Sequence, residues 1–286
     1  MSSPSLQSGG QQFNDDIYYL YYWPGLPGRG EFIRLVLEQA NVKYVDVALQ
    51  EDGMKQCMDL VRPSETWSAG DTTNLAVCYL PALRHKTLLI SQTSNILQYI
   101  GMQMGLAGDL DADPGTAYRV SSMAMNVVDG LCTEAHDTHH PIANALFYEE
   151  QREEAIRRSK EYVFNRLPKF IGFFERALRG MASGQGPWLC GGQLTYADLT
   201  LFQGIDGTKH MFPRAMSDME TSGKYDKVFR LYEAVRQLPR IAAYLRSDRR
   251  QKYGVGIWRF YQELDHRPLE LTDQRVYQGP YDYYKN

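Results

Sequence analysis

One continuous stretch, IYYLYYWPGLPGRGEFIRLVLEQANVKYVDVAL (residues 17–49), constrains the fold more than anything else in the chain. Its first seven residues, Ile17 to Trp23, form an aromatic-rich run of the kind that pairs in sheets, and the turn-forming PGLPG stops it. In EFIRLVLEQA (31–40), Phe32, Leu35, Val36 and Gln39 recur at helical spacing. VKYVDVAL (42–49) then reads as a second strand. A strand, a helix and a strand so closely joined imply a right-handed crossover and a parallel pair.

The rest of the chain extends this start. Residues 50–74 are polar and irregular, with room for one short helix. After Leu80-Pro81, ALRHKTLLI (82–90) reads as a hairpin turning around His85-Lys86, and a helix follows from Thr93-Ser94 through Ile96, Leu97 and Ile100 to Gly101. The predicted unit, β-α-β-β-β-α, spans 17–102, and GLAGDLDADPG (105–115) reads as a linker. Residues 113–264 read as an all-helical domain. Within it, Ile156, Val163, Leu167, Phe170, Ile171, Phe174 and Leu178 make one apolar stripe, which Pro168 should kink or divide. Thr195 and Asp198 have the spacing of a helix N-cap ahead of LTLF. Residues 1–16, rich in Ser, Gln and Gly, read as a flexible tail, and 265–286 as a polar C-terminal tail without helical period.

Composition narrows the class. A chain of 286 residues suits about two domains. With 31 Lys+Arg against 34 Asp+Glu it lacks the basic surplus of a general nucleic-acid binder. No apolar run approaches the ~20 residues that cross a bilayer, and the first residues lack the charge and apolar stretch of a secretory signal. Cys57, Cys78, Cys132 and Cys190 are too scattered for a disulfide framework or a zinc module. The cytosol is the expected compartment, with neither membrane nor nucleic acid as partner. The 20 tyrosines are the outlier, and composition does not separate packing from chemistry among them.

Four places invite chemistry. Tyr22 closes the first strand beside a Gly/Pro loop, where a phenol can donate to a substrate, although in that aromatic run packing is the commoner role. Leu80-Pro81 opens a strand, and by base frequency its peptide bond is trans. Gln92-Thr93-Ser94 stands at a helix start, whose N–H groups suit a carboxylate, although an ordinary N-cap is the commoner use of Thr and Ser. His136 and His140 are four apart, but Pro141 disfavours a helical His140, so a polar helix end facing a cleft fits better than a metal site. GLPGRG (25–30) has no phosphate-loop pattern.

In combination these features resemble the cytosolic glutathione transferases, in particular their Tyr-dependent sigma, pi, mu and alpha classes. The opening stretch, the LPAL segment, ISQTSNILQYIG and TYADLTLF are similar to that family's motifs and occur in its order across about residues 17–262. The resemblance implies a thioredoxin-like N-terminal domain followed by an all-helical C-terminal domain. It makes Tyr22 the catalytic tyrosine, Arg29 the arginine supporting the thiol, and Trp67 a contact to the glycine end of glutathione. Leu80, before a cis Pro81, would hold the cysteinyl backbone; Gln92 and Thr93 would grip the γ-glutamyl end; Asp129 would be the acidic residue shared with a neighbouring subunit.

The resemblance thus implies an enzyme that conjugates glutathione, its co-substrate, to small apolar electrophiles in a detoxifying reaction, as a homodimer and without a metal or other cofactor. A glutathione-dependent isomerase of the prostaglandin-synthase kind and a non-catalytic ligand-binding or structural protein are the alternatives. The chain departs from the family by one extra residue in PGLPGRG, by Asp71 where a lysine is usual, and by insertions around 141–155 and 214–226. A thiol has a pKa of about 8.5 and a tyrosine of about 10, so a neutral Tyr22 can donate to a thiolate at pH 7.

Overall fold

The computed structural model describes residues 13–61 and 73–267. The chain begins with strand β1 (Tyr18–Tyr21), helix α1 (Gly30–Ala40) and strand β2 (Tyr44–Asp46), followed by α2 (Gly53–Val61), β3 (Ala82–His85), β4 (Leu88–Ser91) and α3 (Thr93–Gln103). The sheet order is β2-β1-β3-β4. β1 and β2 are parallel, as the strand–helix–strand start requires, with Tyr18 opposite Tyr44. β3 runs antiparallel to both β1 and β4. The hairpin turns at Lys86-Thr87, one residue later than predicted, with Lys86 in the left-handed region (φ 55°) that tight hairpins demand.

The period of two along β1 divides its aromatics between two cores. Tyr18 and Leu20 face the main core with Phe32, Leu83 and Ile96. Tyr19 and Tyr21 face a smaller one with Val47, Cys57 and Ala82, which Tyr22 joins. β2 is shorter than predicted because the chain turns at Asp46 into a single 3-10 turn, Val47–Leu49. That turn and α2 fill the smaller core, which accounts for the helix inserted before the hairpin.

The remaining elements are helical: α4 (Thr116–Met125), α5 (Thr133–Asp137), α6 (Arg152–Glu161), α7 (Leu167–Arg179), α8 (Tyr196–Met211), α9 (Pro213–Thr221), α10 (Asp226–Arg236) and α11 (Pro239–Leu245). The molecule therefore has the predicted fold class, a small α/β unit of thioredoxin-like form followed by helices. Pro168 divides its stripe as expected, sitting in the first turn of α7, with a wider π-type turn at Tyr162–Arg166 before it. A second π-type stretch, Asn126–Cys132, joins α4 to α5. α8 is apolar on nearly all sides and runs through the core. The Asp198 carboxylate starts it, accepting from Thr195 N–H (2.7 Å), Thr195 Oγ1 (2.8 Å) and Leu189 N–H (2.8 Å).

Three segments read as tails or linker are packed where they are described. Phe13 meets Tyr19 edge-on, with ring centroids 4.9 Å apart, and Arg84 lies over its face. Leu106 C=O accepts from Tyr196 N–H (2.8 Å), and Ala107 is buried, so this part of the linker belongs to the core. Asp265 is buried and caps α9, accepting from Arg214 N–H (3.0 Å) and Ala215 N–H (3.3 Å). Among the described residues, no helix is long and apolar enough to cross a membrane.

Candidate functional site

β1 delivers Tyr22 to the start of the 23–29 turn, and the turn folds back over its ring. Arg29 N–H donates to Tyr22 Oη at 2.8 Å. Two glycines make that approach geometrically possible. A Cβ on Gly28, which has φ 45°, would lie 2.3 Å from Tyr22 Oη, and one on Gly30 would lie 2.7 Å from Tyr22 Cδ1. Tyr22 is buried, and burial pushes its pKa up to about 12, with the Arg29 N–H bond and the Arg29 and Arg34 charges pulling the other way. The phenol is therefore protonated at neutral pH. Its oxygen already accepts a hydrogen bond, and its proton is donated to no described residue.

Immediately beyond Arg29 lies a cavity of about 350 Å³, lined by Arg29, Leu80, Pro81, Gln92, Thr93 and Asp129, with Tyr79, Ser94 and Val128. Six sequence-predicted residues from four separated segments thus line one cavity. Tyr22 is not itself in that lining; it stands behind Arg29. Trp67 and Asp71 lie outside the described residues. The Leu80-Pro81 bond is cis, against the residue-level expectation and in line with the resemblance. Gln92 adopts φ 73°, a left-handed backbone that is uncommon outside glycine, and this turns the chain into the first turn of α3. The leading N–H groups of that helix have no partner inside it and point a partial positive charge at the cavity.

The opposite wall comes from the π-type stretch, which presents Val128 and Asp129; irregular turns of this kind often mark functional positions. Arg29 bridges the two walls. Its Nη2 donates to Thr133 Oγ1 (2.7 Å) and its Nη1 to Val128 C=O (3.4 Å). Asp129 lines this cavity within its own chain, and it also lines a larger groove of about 640 Å³ between α4 and α7.

Sequence reasoning missed the charged network behind the turn. Arg34, with 1% exposure, pairs with Asp46 (2.7 Å) and Glu31 (3.1 Å) and donates to Pro27 C=O (3.3 Å) inside the turn. Glu31 in turn pairs with Arg250 and accepts from Tyr244 Oη (2.6 Å). The Glu31-Arg34 pair on one helix was visible at i,i+3 spacing, but its partners more than 200 positions away were not.

The predicted polar helix end also took an unexpected form. α5 stops at Asp137, in keeping with the effect of Pro141, and His136, His139 and His140 converge with ring centroids 4.7–5.2 Å apart. Among the described residues, no group of histidines, cysteines and carboxylates has the arrangement to hold a metal ion. Burial pulls the pKa of His136 down to about 4 and that of His139 to about 3, so both rings are neutral at pH 7. A C-terminal segment closes over them: His139 Nε2–H donates to Ile257 C=O (2.9 Å), and Tyr261 stacks on Tyr148 at 3.8 Å. Phe147 and Tyr148, adjacent aromatics in an inserted stretch, do not line the cavity; Phe147 is exposed and Tyr148 is taken up by this closure.

Comparison with known proteins finds relatives of the same fold. Residues 136–248 fit the family model described as the glutathione S-transferase C-terminal domain. Glutathione S-transferase P 1 of Xenopus laevis is 24% identical over 237 residues, which cover 82% of this chain and 94% of the frog protein. Among solved structures, prostaglandin synthase D of Nilaparvata lugens superposes with a TM-score of 0.59 at 17% identity, covering 81% of this chain and 98% of that one. A Necator americanus glutathione S-transferase described as monomeric does so with a TM-score of 0.57 at 20% identity, covering 82% and 99%. At these identities the structural likeness speaks for the fold.

Proposed function

We propose that the chain is a glutathione transferase, as the fit of residues 136–248 to that family's C-terminal domain and the likeness of fold support, and that it binds glutathione beside cis Pro81 and passes its thiolate to an apolar electrophile. The observation that carries this reading is the Tyr22 hydroxyl, held by Arg29 N–H with its own proton uncommitted, directly behind a cavity of matching chemistry.

In this reading the γ-glutamyl carboxylate meets Gln92, Thr93 and the N-terminus of α3, where free N–H groups favour negative charge. Leu80 offers main-chain groups to the cysteinyl residue, and Trp67 receives the glycine end. The sulfur then faces Tyr22. A phenol O–H donating to sulfur favours the thiolate over the thiol, and each pKa unit removed from the thiol corresponds to about 1.4 kcal/mol. Burial of Tyr22 serves that role by keeping the phenol protonated. Arg29 adds positive charge while its guanidinium ties the turn to α5. The thiolate attacks the electrophilic carbon, forming the C–S bond as the leaving group departs.

Replacing Tyr22 with Phe keeps the ring but removes the donor, together with the acceptor of Arg29 N–H. Turnover is expected to fall about 100-fold, with the glutathione KM changed by less than about twofold. Undiminished turnover in Y22F overturns the role. The homodimer belongs to the same proposal, supported by exposed Tyr118 and Met125 along the α4–α7 groove that shares Asp129 with the cavity. The Necator protein is described as monomeric, so light scattering of this chain decides the matter. A cytosolic setting suits the four free cysteines.

A further inference from the structure

α5 carries the cavity's chemistry past glutathione. Thr133 holds the Arg29 guanidinium, His136 follows one turn later, and His140 lies beyond it. Arg259 comes to this place from the far end of the chain, on a segment pinned on either side by the Ile257–His139 bond and by Tyr261, whose ring lies 6.1 Å from His139.

Among the described residues, this region holds positive charge with no counterion: Arg259 makes no ion pair with any of them, its Nε–H is buried without an acceptor among them, and His139 Nδ1 is likewise buried and unpartnered. The nearby carboxylates are engaged elsewhere: Glu134 with Arg166 (2.5 Å), Asp137 with Arg158 (3.8 Å) and Glu263 with Arg152 (3.0 Å). After burial, the groups acting on His136 are His140, Arg29 and Arg259, and all of them disfavour its protonated form. Buried polar groups in folded proteins are normally satisfied, and an unpaired guanidinium fork matches a carboxylate best.

We propose that Arg259, flanked by His136 and His140, forms an anion subsite for the second substrate, so that the preferred electrophile has an apolar body and a carboxylate. The inference rests on the glutathione-conjugating reading above, because it places this subsite one helical turn from the Arg29 side of the thiol. Guanidinium supplies the fixed charge, and the neutral imidazoles supply N–H donors to the carboxylate oxygens.

The test compares a chlorodinitrobenzoate with the matching chlorodinitrobenzamide, in the whole protein and in R259Q. The acid is expected to show a kcat/KM about tenfold above the amide, and R259Q to erase that preference while the amide changes by less than about twofold. Equal rates for acid and amide in the unaltered protein, or a preference that survives R259Q, overturn the proposal. A second measurement separates the subsite from the conjugation reading. Naphthoate and naphthamide, neither of them electrophiles, are titrated calorimetrically against both proteins. A tighter naphthoate complex that R259Q abolishes supports the subsite even if no conjugation occurs, in which case the conjugation reading alone has failed. Equal affinities overturn the subsite whatever the turnover.

Discussion

The two walls of the cavity are built over very different distances along the chain. On the sheet side, the hydroxyl of Tyr22 and the N–H that orients it are seven residues apart, and the two glycines that admit the ring stand on either side of Arg29. On the helical side, Arg29 reaches Thr133 across 104 positions, His139 meets Ile257 across 118, and Glu31 meets Tyr244 across 213. The first wall is a turn that any correct strand-to-helix connection would make. The second exists only once the helices that follow have packed back against the sheet unit. Turn chemistry therefore orients the Tyr22 hydroxyl, while chain closure determines what surrounds it.

The largest expected effect tests whether closure also supports the local wall. Glu31→Ala leaves Arg34 and Arg250 buried without their shared carboxylate, and stability in urea is expected to fall by about 3–5 kcal/mol. Turnover should fall too, because Arg34 also holds Pro27 C=O in the turn. A loss below about 1 kcal/mol would mean that the two walls are energetically independent.

Gly28→Ala probes the local wall alone. The new methyl would meet Tyr22 Oη at a backbone angle that disfavours any side chain, so a cost of about 2 kcal/mol is expected, together with a clear drop in turnover. Full activity in a folded variant would show that the turn relaxes and does not set the hydroxyl.

Acidification addresses the helical wall. His139 titrates near 6.5 when unfolded but only near 3 when buried, so the unfolded state takes up the proton first. The corresponding stability is complete above pH 6.5 and declines toward pH 3 by about 1.4 kcal/mol per pH unit. Urea midpoints at pH 7, 6 and 5 measure it, and His139→Phe should flatten the slope. A slope unchanged by that substitution would assign acid sensitivity to other groups.

The smallest effect returns to the local wall. Thr93→Val deletes one hydroxyl at the start of α3, and the glutathione KM should rise about fivefold at constant kcat, which corresponds to about 1 kcal/mol. A fall in kcat instead would place Thr93 nearer the chemistry than the γ-glutamyl end.

The sheet side of the site was legible in sequence for a physical reason. A strand end, a Gly/Pro turn and a helix start are short-range events with short-range signals, so Tyr22 and Gln92-Thr93 stood out as candidates before any tertiary contact was known, while Arg29 was named only through the resemblance. The cis bond at Pro81 was less accessible from its residues, since trans is the commoner state and only the wider resemblance pointed to cis. Arg259 carried no signal at all. It stands in an irregular stretch, and nothing local distinguishes it from a solvated surface arginine. The histidines were visible as a cluster, but their neutral, buried condition depends on the segment that covers them.

By itself the sequence determined the order of strands and helices, the parallel start and the helical second half, and it marked the turn and helix start that line the sheet side of the cavity. These follow from periodicity, turn residues and caps, which act over a few positions. Only the tertiary structure decided that Tyr22 is buried behind Arg29, that two arginines share Glu31, and that Arg259 lies near three histidines with no counterion among the described residues. Those outcomes depend on desolvation and on pairing between distant segments. Burial is a property of the whole packed chain, and so are the pKa values and unpaired charges that follow from it.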